Sequence, residues 1–371
     1  MQMSQKEYIN PFSQVSEIYA QKLDDASMSG DIVLLEQLVC EIEKTLPDVD
    51  AASQARLYYS IGTVYSDVAQ AKSLSHEKSI KKQLYAFRKS VGIIEDEEYS
   101  KEEYGPYVNP FKCLLYTNYG NTLCSCGRNI EAIAQYKKAI NIYPLFGMAI
   151  GNLGRVYQDY GVMDYDDGHQ DYFHYFAYSL LKKAVECKDP NTHKAAKDCF
   201  LRAMAVYTPQ YVEGFLQKDL EIPQFSYENC EEKMYREWAV ENNLFLNTLN
   251  DLVELCFATD VLQLPDMIVS IDAKPIFHGM FNQIKQEYVY ARYQYYLSLQ
   301  FREEVHYADK ETHLINFADF PQYGIRIEQL KSAFKTLYGL FDKIAYFLNS
   351  YFELGIHERD VSFNHIWLTG F

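Results

Sequence analysis

The sequence predicts an all-α protein in which a series of repeated helix pairs is followed by a helical bundle. Small and aromatic residues recur at a fixed spacing between about residues 29 and 190. Nearer the C-terminus, apolar residues recur every three or four positions along two long segments, which is the period of an amphipathic helix. A chain of 371 residues also exceeds the usual size of a single core, so we expect two domains.

Composition and charge restrict the classes of function. The chain has 35 basic and 51 acidic residues and a formal net charge of -16, which repels phosphate backbones at long range, so any nucleic-acid site has to be local. The eight cysteines form no regular framework and are expected to be free thiols in a reducing compartment. No apolar run approaches the ~18 residues that a membrane helix requires. We therefore expect a cytoplasmic protein that does not bind membranes.

The clearest helix pair surrounds Gly120. Small residues such as Gly120 and Ala132 suit positions where two helices approach closely, and Gly127 suits the turn between them. Pro144 is expected to end the second helix because it has no N–H donor. The pattern recurs at Gly154, 34 residues after Gly120. In the first pair, the residues that follow the pattern are Tyr116, Tyr119, Gly120, Leu123, Ala132, Tyr136, Ala139 and Pro144.

This pattern resembles the tetratricopeptide repeat, and the resemblance covers roughly residues 29 to 190. It implies three to four helix pairs with a groove for a protein or peptide ligand, and it implies no chemistry. Two polar segments, Ser73 to Lys81 and Val162 to Tyr175, are predicted to be loops within the series. The second is acidic but lacks the ligand spacing of a calcium loop, so we expect it to be solvated. Most of the 33 tyrosines fall on core positions of the repeats, which favours packing over base stacking.

The repeat register is lost from about residue 191, and two long helices follow a linking region. The first is predicted from about Pro275 to Phe301, and the second from Leu330 to Tyr351. The apolar stripe of the second is so wide that we expect burial on more than one side, and Gly355 is expected to stop the helix. The predicted division is an N-terminal segment (1–28), the helix pairs (29–190), a linking region (191–274) and a helical domain (275–371).

Arg359 and His365 are the one pair of residues after these helices that suggests chemistry. Six residues of α-helix rotate a side chain by about 240°, so the pair cannot share a helical face if both lie in mid-helix. It converges if Asp360 or Ser362 is an N-cap, with Arg359 before the cap and His365 on the first turns of a short helix.

The spacing of the pair resembles the R-x(4–6)-H motif of the HEPN (higher eukaryotes and prokaryotes nucleotide-binding) superfamily, many members of which are ribonucleases. The wider similarity, to a bacterial branch in which a HEPN domain follows tetratricopeptide repeats, spans about residues 230 to 371. The chain ends six residues after His365, which is short for the last helix of such a bundle and leaves open that the native domain continues.

The resemblance implies a metal-independent endoribonuclease that needs no cofactor, acts on RNA, and forms a homodimer with one composite site. His365 is the candidate acid and base because imidazole exchanges protons near neutral pH. Arg359 is the candidate clamp for phosphate oxygens, and Asp360 is a third candidate catalytic residue. Candidates for supporting roles are Asp342, Lys343 and Asn364. In this interpretation the repeats bind a protein that restrains or releases the nuclease, in toxin or antiviral defence.

A non-enzymatic interpretation of the same residues stays open. An Arg and a His near a chain end can also be a helix cap and a packed histidine. The protein would then be an adaptor whose HEPN-like bundle only dimerises or binds nucleotide. A kinase or ATPase is disfavoured, because the sequence contains no GxxxxGK[ST] loop and no GxGxxG turn.

Overall fold

The computed structural model describes residues 8–72, 76–164, 166–220, 226–252, 257–266, 274–300, 306–311 and 324–367. Within these ranges the secondary structure is helical and contains no strand, which confirms the all-α prediction. The helices are α1 (Gln14–Ser29), α2 (Ile32–Thr45), α3 (Ala51–Lys72), α4 (His76–Ile94), α5 (Gly105–Ser125), α6 (Asn129–Ile142), α7 (Gly147–Met163), α8 (Asp167–Glu186), α9 (Lys194–Met204), α10 (Pro209–Tyr211), α11 (Cys230–Glu241), α12 (Ile276–Leu299), α13 (Ile325–Tyr351) and α14 (Phe363–Ile366). In this part of the chain, no helix is both long and apolar enough to cross a bilayer.

The chain divides into two compact units. Unit 1 comprises Met1–Pro223 together with Asp251–Leu255, and unit 2 comprises Gln224–Asn250 together with Cys256–Phe371. The finer division into four segments stays a prediction.

Helices α1 to α9 of unit 1 form a series in which each helix packs on the next. In the pair α3 and α4, Ser79 Oγ donates to the carbonyl of Tyr65 (2.9 Å), and Ser90 Oγ donates to the carbonyl of Ala55 (2.7 Å). The start of α4 therefore lies beside the later part of α3, and its end lies beside the start of α3. The short connections between helices are typical of such antiparallel hairpins.

Glycines of the first helix in each pair give space to a large side chain of the second. A Cβ atom on Gly120 would lie 2.6 Å from Cε1 of Tyr136, and one on Gly62 would lie 2.7 Å from Cε1 of Phe87. At Gly154 the nearest atom would be Cγ of Leu181, at 3.0 Å. Contacts this short are not tolerated in close-packed interiors. The spacing of small residues in the sequence therefore marks the places where paired helices approach.

Two predicted loops of unit 1 are wrong over most of their length. Helix α4 begins at His76, so residues up to Lys81 are helical, and α8 begins at Asp167 instead of after Tyr175. The Asp166 side chain accepts a hydrogen bond from the His169 N–H (3.0 Å) and caps α8. These polar stretches are the exposed faces and caps of amphipathic helices. The expectations that Gly127 lies in the turn between the two helices and that the second helix ends before Pro144 are confirmed. Gly127 has a left-handed conformation there (φ 76°).

Unit 2 is built on the antiparallel pair α12 and α13. The ring of Phe277 lies 5.3 Å from that of Tyr351, and Arg326 Nε, near the other end of the pair, donates to the carbonyl of Ser298 (3.1 Å). The observed bounds of α12 agree with the predicted helix from about Pro275 to Phe301.

A buried arginine joins α12 to the segment that precedes it. Arg292 is 4% exposed and donates to both carboxylate oxygens of Asp260 (2.8 and 2.7 Å), to the carbonyl of Leu244 (2.7 Å) and to the Tyr235 hydroxyl (2.8 Å). Burial raises the pKa of Asp260, but the hydrogen bonds from Arg292 and from the Leu246 N–H outweigh it and hold that pKa below its ordinary value. Nothing in the spacing of Asp260 and Arg292 along the sequence indicates this ion pair.

Candidate functional site

The segment that follows α13 folds back along that helix and is held there by three side chains of α13. Asn349 donates to the Ile356 carbonyl (3.0 Å) and accepts from its N–H (3.1 Å). Tyr346 OH donates to the carbonyl of Glu358 (2.7 Å), and an Asp342 carboxylate oxygen accepts from the N–H of Phe363 (3.3 Å). The contacts move towards the start of α13 as the segment proceeds, so the segment runs antiparallel to the helix.

Helix α13 ends where its apolar pattern predicted, four residues before the glycine that was expected to stop it. Its last residue is Tyr351, and the chain then passes through two left-handed residues, Glu353 (φ 51°) and Gly355 (φ 71°). Gly355 therefore does not stop the helix, but lies in the turn that reverses the chain. Its positive φ is what glycine adopts without strain.

Apolar contacts fix which residues of the returning segment face outward. Val361 and Ile366 are buried with Ala345 of α13, and the ring of Phe363 lies 4.9 Å from that of Phe341. The predicted site residues of this segment are exposed, as are their neighbours His357 and Glu358; the site residues are Arg359, Asp360, Asn364 and His365. Burial of the apolar residues thus presents the predicted site residues on one stretch of surface.

Backbone geometry around the motif confirms the arrangement that the six-residue spacing required. Ser362 is the N-cap of α14, and its side chain accepts from the His365 N–H (3.3 Å). Arg359 lies before this cap, in the 3₁₀ turn Glu358–Asp360. Ser362, and not Asp360, is therefore the cap, and His365 lies in the first turn of a four-residue helix.

Apart from these backbone contacts, the candidate side chains are not held in a network. Within the described part of the chain, no hydrogen bond or ion pair engages the Arg359 guanidinium or the His365 imidazole. Asp342 reaches the motif through the Phe363 N–H, whereas Lys343 forms an ion pair with Glu287 of α12. The structure therefore brings Asp342 to the motif and directs Lys343 elsewhere.

A row of exposed apolar side chains on α13 leads to the motif. Phe334 is 68% exposed and Phe341, which contacts Phe363, is 48% exposed. We call this row the α13 stripe; it consists of Leu330, Phe334, Leu337, Tyr338 and Phe341. The prediction that the apolar surface of this helix is buried on more than one side is wrong for the single chain. The buried positions Ala333, Leu340 and Phe347 lie on another face.

Sequence reasoning missed Tyr346 and Asn349, which hold the returning segment in place. The available signal was a polar residue, Asn349, among the apolar residues near the end of α13. Their partners are backbone atoms of Glu358 and Ile356, and no residue type in the sequence marks a backbone partner.

An antiparallel pair of long helices is followed by a turn that presents an Arg and a short helix that presents a His. This arrangement defines a small α-helical domain of the kind that the HEPN resemblance implies. Residues 268–370 match the family model described as LA2681-like HEPN, which supports a C-terminal HEPN domain. The match covers a little over a quarter of the chain. No curated protein and no solved structure matches the chain. The tetratricopeptide class of the helix pairs in unit 1 stays a prediction.

Proposed function

We propose that this chain is a metal-independent endoribonuclease of HEPN type, and that two copies combine Arg359 and His365 into one active site. The observation that carries the proposal is the exposure of both side chains on the Ser362-capped turn, inside the segment that matches the HEPN family model. An exposed histidine and arginine are the groups needed to move a proton and to bind phosphate oxygens.

We propose that a second copy of the chain packs against the α13 stripe. Isolated exposed apolar residues are common, but a continuous exposed row on one helix face is typical of an interface. The row reaches Phe341, whose ring packs on Phe363 two residues before His365. Pairing of two stripes would therefore bring the motifs of both copies to the same interface and complete a site that one copy provides only in part.

The proposed reaction is an intramolecular transesterification, in which phosphorus is transferred from the 5′-oxygen of the next nucleotide to the neighbouring 2′-oxygen. One imidazole accepts the proton of the 2′-hydroxyl, whose oxygen attacks phosphorus, while the bond to the 5′-oxygen breaks. The second imidazole of the dimer donates a proton to that leaving oxygen. The guanidinium of Arg359 binds the non-bridging oxygens as negative charge develops on them. The products are a 2′,3′-cyclic phosphate and a 5′-hydroxyl, with no change in oxidation state.

Two alanine variants test this proposal. We expect Arg359→Ala and His365→Ala to abolish cleavage of a labelled RNA while sedimentation equilibrium still gives a dimer. The matched control is Glu358→Ala, since the Glu358 side chain is also exposed, lies in the turn that carries Arg359, and has no assigned role. Equal loss of activity in all three variants would indicate a general defect of the segment and would contradict the assigned roles.

A non-enzymatic adaptor is the second candidate, and one observation favours it. Catalytic histidines are commonly oriented by another side chain, and none of the described residues orients the imidazole of His365. An adaptor would dimerise or bind nucleotide without cutting RNA. A dimeric wild-type protein that cleaves no RNA would move the conclusion to this candidate.

For the helix pairs of unit 1 we propose a regulatory role within toxin or antiviral defence. The pairs would bind a protein or peptide, as the tetratricopeptide resemblance implies, and binding would restrain or release the nuclease. Cleavage rates of the full chain with and without a co-purified host protein test this role. A rate that no bound protein changes would contradict it.

A further inference from the structure

One helix face of unit 1 departs from the acidic character of the chain. Between residues 78 and 89 of α4, every exposed position is a cation or a tyrosine. We call these residues the α4 basic face; they are Lys78, Lys81, Lys82, Tyr85, Arg88 and Lys89. The intervening positions are inward-facing residues such as Ile80 and Phe87, which pack in the core.

Aromatic groups, and not carboxylates, accompany three cations of this face, Lys82, Arg88 and Lys89. Lys82 Nζ lies 4.6 Å from the centroid of the Tyr65 ring, and Lys89 Nζ lies 5.7 Å from that of Tyr85. Arg88 Nε donates to the hydroxyl of Tyr119 (3.3 Å). In the described part of the chain, no carboxylate forms an ion pair with Lys82, Arg88 or Lys89. Rings orient cations without neutralising them, so the charges of these three residues are available to an anionic ligand.

The dimensions of the face suit an extended polyanion. Eleven residues of α-helix separate Lys78 from Lys89, a distance of about 16 Å along the axis at about 1.5 Å per residue. A cavity of about 380 Å³ lies on this face and is lined by Lys81, Leu84, Tyr85, Arg88 and Lys89. Tyr85 is 59% exposed, so its ring is accessible beside the cations.

We propose that the α4 basic face binds single-stranded RNA, with phosphates on the Lys and Arg side chains and a base stacked on Tyr85. Cations that track a backbone, combined with an aromatic platform, are the features by which proteins bind single strands without sequence preference. An acidic peptide would use the cations but would gain no stacking from Tyr85. The choice of RNA over another single-stranded polyanion rests on the proposed nuclease function.

The net charge of -16 makes the location of this face significant. Elsewhere an excess of acidic side chains repels phosphate, so a local cluster of cations defines where a strand approaches. If five cations each contact a phosphate, the affinity for a single strand is expected to vary with salt concentration with a logarithmic slope of about -3.5. Removal of three of them is expected to reduce the slope to about -1.4.

The test uses full-length His365→Ala protein, so that binding is measured without cleavage. Fluorescence anisotropy follows a labelled 12-nucleotide RNA of mixed sequence between 50 and 200 mM salt. We expect the parent affinity to fall about 100-fold over this range, and that of the Lys78→Gln, Lys82→Gln, Lys89→Gln variant to fall less than about tenfold. Glutamine is polar and unbranched at Cβ and has a helix propensity close to that of lysine, so folding should be unaffected.

Two further sets of variants complete the test. The first shows whether the placement of charge or the total charge matters, and the second shows whether the ligand is RNA or an acidic peptide. The matched control is Lys22→Gln, Lys44→Gln, Lys101→Gln, which removes three exposed lysines of the same unit outside α4 and should leave the slope unchanged. Tyr85→Leu should weaken RNA binding by about fivefold or more, whereas Tyr85→Phe should retain it. A poly-glutamate peptide of equal charge serves as the competing ligand.

An unchanged slope in the α4 variant, or an equal change in the control variant, would overturn the proposal. Equal binding of poly-glutamate with no effect of Tyr85→Leu would instead identify the face as a site for acidic protein. These results are independent of the nuclease proposal. RNA binding by His365→Ala protein would persist if the wild type cleaves nothing, and cleavage without a contribution from α4 would leave the nuclease proposal intact.

Discussion

Replacing Arg292 by methionine should destabilise unit 2 more than any exposed substitution. Methionine keeps most of the side-chain volume on α12 but removes every hydrogen bond of the guanidinium. The Leu244 carbonyl keeps a donor in the Tyr288 hydroxyl (2.8 Å), and Asp260 keeps the Leu246 N–H (2.8 Å). The main loss is therefore the partner of a largely buried carboxylate.

The size of the effect follows from that burial. Removing one partner of a buried ion pair costs about 3–5 kcal/mol. The side chain of Asp260 is 19% exposed and can gain some hydration, so we expect the lower part of that range, about 3 kcal/mol. Adding Asp260→Asn to Arg292→Met removes the unpaired charge and should restore about 1–2 kcal/mol.

Urea unfolding followed by tryptophan fluorescence measures this effect, because both tryptophans, Trp238 and Trp367, lie in unit 2. The pKa of Asp260 is depressed in the folded state. The ionised carboxylate therefore contributes its full stabilisation above the unfolded pKa of about 3.9, and this stabilisation is lost as pH falls through the folded pKa. The difference between wild type and Arg292→Met should therefore be full at pH 7 and shrink below about pH 4. A difference under about 1 kcal/mol at pH 7, or one that grows as pH falls, would refute this reasoning.

Three further predictions concern the stripe, the helix pairs and the motif. Phe334→Ser should raise the Kd of dimerisation by about 30-fold, as measured by sedimentation, while the stability of the monomer changes by less than about 0.5 kcal/mol. A large loss of monomer stability would mean that the α13 stripe is internal. Gly120→Ala should lower the free energy of unfolding of unit 1 by about 1–3 kcal/mol, as measured by circular dichroism. A Cβ atom at Gly92 would meet no neighbouring atom, so the control Gly92→Ala should stabilise the protein by up to about 1 kcal/mol. Ser362→Ala should lower the local stability of α14 by about 1 kcal/mol, as measured by hydrogen exchange. It should also reduce RNA cleavage, because the cap holds the turn that carries His365. Unchanged hydrogen exchange would contradict the role of the cap.

Features that depend on short-range geometry were predictable from the sequence. Gly120 and Tyr136 could be paired because a small residue and a large residue at a fixed offset imply two helices in contact. The N-cap before His365 was predictable for a similar reason: a six-residue spacing converges only across a helix start, and Ser362 is a preferred capping residue. In both cases the deciding atoms lie close together along the chain.

Features that depend on which surface is covered were not predictable. The apolar positions of α13 carry the same pattern whether a face meets α12, another chain or solvent, so Phe334 could not be distinguished from Phe347. The polar residues at the start of α4, up to Lys81, were interpreted as a loop because an exposed basic face and a polar loop have similar compositions. The pairing of Arg292 with Asp260 joins positions 32 residues apart without any repeat, and only tertiary structure reveals it.

The most direct test of the central claim is the chemistry of RNA ends after incubation with the full-length protein in EDTA. Wild type and His365→Ala are incubated with a mixed pool of tRNA and mRNA, and the products are analysed for terminal groups. We predict cleavage by the wild type alone, with 2′,3′-cyclic phosphate and 5′-hydroxyl ends. Intact RNA with a dimeric wild-type protein, or identical products from His365→Ala, would contradict the assignment of a HEPN-type nuclease to Arg359 and His365.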